Sequence, residues 1–487
     1  MEKRLTDTPE PARRPKFSSP WAYAFSPGVI VMIALAIISG IWILVDGSRE
    51  RTGELSMWTF AEPHYAIYVP AVEEWNAGEH VPVDMHLIGR QVMDRRLLGG
   101  FLGSVPTADV IEAERSTASL AFAGPLEAVG FVDLTDRLEA AGLLEVLNPP
   151  SLSPWTYDGR VFGIPHDVHP VMLGYRADIV EAAGIDMSTV ETWDDLFEVL
   201  RPLQSKAGEN GLDVDRYIMS IAESESDMLE TLLLQAGGGA FTETGTLAID
   251  RDVNVEKVAK MVSWMIGPDR VATHVPEFSP TGDRLKVEGH ALCYLMPDWM
   301  CNVWRRNVPT LEGKMKVIPL PAWEPGGRRT SVWGGSMLGI AKTTKDIEAA
   351  WNFSKHLYLS EELALELYRM GDIITPVREH WDNPLFDEPD AYFSGQRKGR
   401  MYIDLAPDVP IRAATPYFTQ ARAAGQNAVS RTRTEAEKAG IYDAKSIEPI
   451  ARRQLELAQR EVASLIERNA FHRDSVATAS SPEEVAP

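Results

Sequence analysis

The chain has 487 residues, 45% of them hydrophobic and 24% charged, with 70 acidic against 48 basic side chains and a net charge of -22. This length and apolar content support a large core, divided over two or three domains. No basic run in the body of the chain could neutralise a phosphate backbone, which excludes nucleic acid as a partner.

The first recognisable element is apolar. Residues 28–45, GVIVMIALAIISGIWILV, carry no charge, and as a helix they would span roughly 27 Å, enough for a thin hydrocarbon core. Lys3, Arg4, Arg13, Arg14 and Lys16 precede this run, and Phe17, Trp21, Tyr23 and Phe25 stand closer to it, while Asp46, Arg49 and Arg51 follow. The basic bias and the aromatic rings predict one transmembrane signal anchor, with residues 1–27 as a cytoplasmic leader and the rest of the chain outside. A cleaved signal peptide is the alternative, but the leader is long and the exit VDGSRERTGE lacks a small-x-small site. No cysteine follows the run to carry a lipid.

Beyond the anchor, strands and helices alternate. ELSMWTF (54–60) reads as a strand, HYAIYVPAVEEWNAG as a helix ended by Gly78, VPVDMHLI as a strand, MDRRLLGGFL as a helix and ADVIEAE as a third strand. That order predicts a parallel α/β sheet whose crevice lies beyond the carboxyl ends of its strands, so the loops after Phe60, Ile88 and Glu114 should converge. Thr192 and Asp195 form a capping-box signature, Ile347, Ala350 and Trp351 fall at helical spacing, and Leu455, Ala458, Val462, Leu465 and Ile466 form a helical stripe. Cys293 and Cys301, the only cysteines, would need a turn at Pro297 to bridge, so free, buried thiols are expected. Residues 471–487 are small and polar and read as a disordered tail.

The stretch GRVFGIPHDVHP (159–170) concentrates chemistry: His166, Asp167 and His169 between two prolines. Extended backbone would point the two imidazoles to opposite faces, so they could not share a metal, and would put Asp167 and His169 on one face. Pro165 and Pro170 disfavour the helix that would bring the histidines together. No G-x-S-x-G elbow, H-E-x-x-H, Walker loop or G-x-G-x-x-G after a strand occurs. Glu112 with Glu114, and Glu223, Glu225 and Asp227, could serve a paired-carboxylate glycosidase, but in so acidic a chain they read first as solvated faces. Trp58, Trp299 and Trp333 adjoin strand ends or Gly/Pro turns, where a ring can either pack inward or offer a flat face to the C–H side of a pyranose.

Four segments occur in a recognisable order: YDGRVFGIPHDVHPVMLGYRADIVEAAGI (157–185), ETWDDLFEVL, EGHALCYLMPDWM (288–300) and SVWGGSMLGIAKTTKDIEAAWNFSKHL (331–357). In this order the chain, from about residue 54 to 470, resembles the extracellular solute-binding proteins of carbohydrate ABC importers, the maltose-binding-protein-like class. The resemblance implies an α/β fold of the two-lobed periplasmic-binding-protein type with hinge crossover strands, preceded here by the transmembrane helix. Lobe 1 would comprise 54–166 and 337–378, and lobe 2 would comprise 167–336 and 379–470. GIPHDVHPVMLGYR would be the first crossing and VWGGSMLGI the return.

The resemblance further implies ligand contacts from Trp58 and Phe60 at the first loop, from Glu112, Glu114 and Arg115, from Asp167 and His169, and from Glu223 and Glu225. Trp299 would be a stacking platform, Tyr417 or Phe418 another, and Trp333, Gly334, Gly335 and Ser336 would lie at the hinge. The chain departs from the usual pattern in Arg176-Ala177-Asp178, where an asparagine ordinarily follows the crossover tyrosine, and in its retained anchor. The expected function is capture of a carbohydrate, an oligosaccharide above all, for delivery to ABC permease subunits, with no catalytic residue, metal or cofactor. The rival readings are a two-lobed sensor coupled to a membrane partner and a glycoside hydrolase or lyase using Glu112, Glu114 or Glu225.

Overall fold

A computed structural model describes residues 27–47, 53–103, 107–209 and 213–469. The expectations for the leader before residue 27 and for the tail 471–487 fall outside the described residues. Residues up to Glu54 and from Leu55 onward form two separate units. In the first, Pro27–Gly47 is a helix of 21 residues, and Val31, Met32, Leu35 and Ile38 lie exposed on it. Among the described residues no helix is long and apolar enough to cross a membrane; within Pro27–Gly47 the described side chains end at Ser39.

In the second unit the chain builds two five-stranded sheets, the two-lobed α/β arrangement. The first takes β1 (Leu55–Thr59), β2 (Val83–Leu87) and β3 (Val110–Glu114), which run parallel in the order β2-β1-β3. A short hairpin, β4 (Thr156–Tyr157) and β5 (Arg160–Val161), leads to β6 (Ile164–Pro165) at the sheet's far edge. The second sheet contains β7 (Val171–Arg176), β8 (Tyr217–Ser220), β9 (Ala272–Thr273), β10 (Ala291–Pro297) and β11 (Met315–Pro319), in the order β11-β7-β10-β8-β9. The chain then returns to the first sheet as β12 (Ser336–Ile340), between β3 and β6.

Both sheets are therefore mixed rather than parallel throughout. β12 is antiparallel to β3 and β6, and β7 to β10 and β11. The reason is topological: each of these strands arrives from the other sheet, entering from the edge the crevice occupies, so it must run against its neighbours. Burial matches position. All six residues of β7, Arg176 at its end included, and all seven of β10 are buried, as strands covered on both faces should be. In the first sheet Met57, Val110 and Leu338 face one core, while Trp58, Ile111 and Met337 face another, the alternation of a pleated strand.

The crossings lie side by side. His166 N donates to Ser336 O at 3.0 Å, Val171 N to Ser331 O at 3.1 Å, and Val168 N to Ile374 O at 3.1 Å. Three passes of chain thus share hydrogen bonds, the third following the helix Glu361–Gly371, where Ile373 packs into the first lobe's core and Ile374 into the second's. Thr192 and Asp195 close the reciprocal capping box at 2.8 and 3.2 Å. Leu455, Ala458 and Val462 of Ala444–Arg468 are buried against the second core, whereas Leu465 is exposed. Cys293 in β10 and Cys301 in the next helix are both free and buried.

Candidate ligand-binding site

The first crossing sets the geometry between the lobes. It is not extended throughout: His169 has φ 54°, in the left-handed region, so the alternation of faces expected over 166–169 fails. Both imidazoles instead reach one carboxylate oxygen, Asp167 Oδ2, with His166 Nδ1 and His169 Nε2 each 3.0 Å away. Ser336 N donates to the same oxygen at 3.2 Å. Asp167, expected to face ligand, is accordingly buried and engaged from three sides.

His169 Nδ1 lies 2.7 Å from Asp298 Oδ1, and Asp298 also accepts Trp299 N and Ile374 N at 2.8 Å each. Burial alone would lower the His169 pKa, but Asp167 and Asp298 outweigh it and hold it at about 10, so this imidazole is cationic at neutral pH. Burial would raise Asp167, and the positive His169 with the His166 hydrogen bond drives it well below the carboxylate range instead. The result is an ion triad joining the first crossing to the end of β10 and to the third pass.

Aromatic rings gather beside it. Trp299 is half-buried, donates Nε1 to Trp333 O at 3.0 Å and stands perpendicular to the Trp333 ring at 6.0 Å. Phe278, which is 68% exposed, lies parallel to Trp299 at 6.3 Å. Gly334 and Gly335 have φ of 108° and 121°, where a side chain is strained. A Cβ on Gly334 would fall 2.8 Å from His169 Cδ2, and one on Gly335 3.0 Å from Arg412 Nη2. Ser336 is buried and contributes its backbone N–H.

Charges line the seam between the lobes. Arg115, at the end of β3, pairs with Glu230 of the helix Ser226–Gln235 at 2.7 Å and lies 3.9 Å over the Phe418 ring. Phe418 is buried beneath Arg115 and Arg422 and does not offer an open face. Arg412 Nη1 donates to Gly334 O at 2.6 Å, and burial together with Arg115 lowers its pKa to about 9. Glu114 is held by Arg90 at 2.6 Å and by the Ser116 hydroxyl at 2.9 Å. Glu114, Trp333 and Gly334 line a cavity of about 30 Å³ in this seam, and Arg115, Glu230 and Arg412 also line one of about 110 Å³. A groove of about 1000 Å³ is lined by Leu126, Tyr157, Asp158, Thr244, Arg412 and Tyr417, and shares Arg412 with both cavities.

The remaining expected residues are dispersed. Trp58 is buried in the first lobe with Arg96 over its ring at 5.4 Å, and Phe60 is half-buried, edge-on to His64 at 6.1 Å. Glu112, read as a ligand contact, is fully buried instead, because its side of β3 packs against the helix Glu62–Ala77. It accepts the Thr59 and Tyr68 hydroxyls and lies 2.7 Å from His64 Nδ1. Burial would raise its pKa, yet His64 lowers it to about 2. Glu223 pairs with Arg433, Glu225 lies 3.6 Å from His274, and the Tyr417 hydroxyl accepts Asn469 Nδ2 at 2.8 Å.

Sequence reasoning missed Phe278, Glu230, Arg412, Asp298 and His64. Asp298 adjoins Trp299 and had a local signal in the Pro-Asp-Trp turn; the others come from segments without a motif. Among the described residues, His64, Glu112 and His166 form a group that could hold a cation, with ligand atoms all within 4.8 Å of one another. His169 takes no part in that group.

Residues 102–388 match the family model described as bacterial extracellular solute-binding protein. An arabinooligosaccharide-binding protein of Halalkalibacterium halodurans is 26% identical over 383 residues, covering 75% of this chain and 81% of that protein. Its counterpart of the same name in Bacillus subtilis is 24% identical over 416 residues, covering 83% and 92%. The ABC-transporter-associated binding protein of B. animalis subsp. lactis, solved with β-1,6-galactobiose, superposes with a TM-score of 0.65 at 18% identity, covering 86% of this chain and 99% of that one. With more than half its length matched and the two-lobed architecture shared, the chain belongs to the bacterial extracellular solute-binding protein family.

Proposed function

We propose that this protein is the substrate-binding subunit of an ABC importer, which captures a carbohydrate, an oligosaccharide above all, between its lobes and delivers it to permease subunits. The observation that carries this reading is the parallel pair of rings Trp299 and Phe278, backed by the buried Trp333, beside a seam of paired charges. Flat apolar faces suit the C–H side of a sugar ring, and ionised groups already in pairs can exchange partners with hydroxyls without a net charge being buried. The names of the arabinooligosaccharide-binding relatives point to the same ligand class.

The mechanism is mechanical. Ligand binds between separated lobes, the lobes rotate about the three crossing passes, and the closed form is read by the permease; a sugar favours closure only through its higher affinity for the closed form. His169, between Asp167 and Asp298, is the positioning residue of the hinge in this reading. The lobes divide at 54–166 with 337–378 and 167–336 with 379–470. The helix over 28–45 anchors the protein in the cytoplasmic membrane with the lobes outside; its exposed Val31, Leu35 and Ile38 support burial in lipid.

The test is a thermal-shift and calorimetric screen of the detergent-solubilised full chain against arabinooligosaccharides, galactobiose, maltose, lactose and amino acids. A ligand at a hundredfold excess over its dissociation constant stabilises by about 2.7 kcal/mol, which one sugar class should produce. Stabilisation by amino acids with none from any sugar overturns the proposal.

A further inference from the structure

The buried cluster under the first crossing is not used by the sugar reading. Three side chains from distant segments meet there: His64 from the helix Glu62–Ala77, Glu112 from β3, and His166 at the start of the crossing. The imidazole rings of His64 and His166 are 4.5 Å apart at 38°, and His64 Nδ1 is 2.7 Å from Glu112 Oε1. His166 is almost fully buried, with its side chain 1% exposed, and its Nε2 has no hydrogen-bond partner. A buried imidazole nitrogen without a partner costs stability unless something else binds it.

The surroundings are those a metal ligand needs. Asp167 Oδ2, 3.0 Å from His166 Nδ1, accepts a hydrogen bond from Nδ1–H and so leaves Nε2 as the lone-pair nitrogen. Tyr358 packs against the His166 ring at 5.0 Å and limits its rotation. The Thr59 and Tyr68 hydroxyls orient the Glu112 carboxylate. His64, with a side chain 13% exposed, lies on the side from which an ion would enter.

We infer that His64, Glu112 and His166 form a divalent-cation site, for which the two-imidazole, one-carboxylate donor set selects a zinc-class ion. Bonds of about 2.0–2.2 Å in tetrahedral geometry put donor atoms about 3.3 Å apart, so donor atoms that lie up to 4.8 Å apart would draw together around the ion. Water completes the coordination. The ion ties a first-lobe helix, a first-lobe strand and the first crossing together at the root of the hinge.

The experiment uses the full chain in detergent, stripped with chelator and titrated with zinc chloride against a chromophoric chelator, with cobalt(II) as a spectroscopic probe. One equivalent of zinc should bind, and cobalt should give the intense visible absorption of a four-coordinate site. E112Q and H166Q should abolish both, and D167N, which removes the orienting carboxylate, should weaken zinc binding about 10- to 100-fold. If H166Q fails to fold, H64A decides, because His64 lies at the edge of its helix and partly in solvent. Failure to take up one equivalent, or uptake unchanged in H64A and E112Q, overturns the inference. Neither result bears on sugar binding, which is scored separately by calorimetry.

Discussion

Arg115→Ala should loosen one lobe from the other. In the structure its guanidinium is held by Glu230 at 2.7 Å and lies 3.9 Å over Phe418, both from the second lobe. The two charged side chains are only 11% and 21% exposed, so this pair is worth more than a surface ion pair. A hydrogen bond to a charged group contributes about 1.5–3 kcal/mol net, and a partly exposed cation–π contact about 0.5–1 kcal/mol. Glu230 regains water once the pair is broken, and Arg422 still covers Phe418, so the lower end of the sum applies, about 2 kcal/mol. If the contact exists only when the lobes meet, that amount shifts the open–closed equilibrium about thirtyfold toward open. Single-molecule energy transfer between dyes on the two lobes, for Arg115→Ala, Glu230→Ala and the double variant, measures the shift and the coupling without ligand. Singles that add to within about 0.3 kcal/mol in the double variant refute the reasoning, because groups in contact should couple.

Trp299→Ala, removing the ring between Phe278 and Trp333, should weaken the sugar selected in the screen by about 2 kcal/mol, roughly thirtyfold by calorimetry; a change below about twofold shows that the ring is only structural. The raised pKa of His169, about 10 in the fold against an ordinary value near 6.5, stabilises the protein fully below about pH 6.5 and not at all above about pH 10. The melting temperature should therefore fall across that window, and His169→Gln should flatten the slope; an equal slope in the variant rejects the ion triad. Gly334→Ala should destabilise by about 1–3 kcal/mol in chemical denaturation, since φ 108° is strained for alanine and its Cβ would crowd His169. A variant as stable as the parent would mean that the crossing adapts. Burial raises both thiols, Cys301 to about 12, so neither cysteine should react with a maleimide until the protein unfolds.

Local features were legible where their cause was local. The strand over 54–60, the helix ended by Gly78 and the Thr192–Asp195 box depend on residues within a few positions of one another. Their side-chain periodicity and capping hydrogen bonds can be read without knowing the fold. The parallel reading of the first three strands came from the same source. It failed at β7 and β12 because strand direction there depends on which sheet the chain has just left.

The site was less legible. Alternation over His166–His169 was a sound inference for extended backbone, yet His169 adopts φ 54° and turns its ring back onto Asp167. That conformation is strained for an isolated residue and is sustained by two carboxylates, one of them on Asp298, 129 positions away. Arg115 finds Glu230 across 115 positions, and His64 finds Glu112 across 48. By itself the sequence determined the strand and helix segments, the apolar run at 28–45 and the motif order that placed the chain in its family. Only the tertiary structure decided which charges are paired, which carboxylates are buried and which rings face one another, because those contacts join residues whose separation along the chain carries no information about their distance in space.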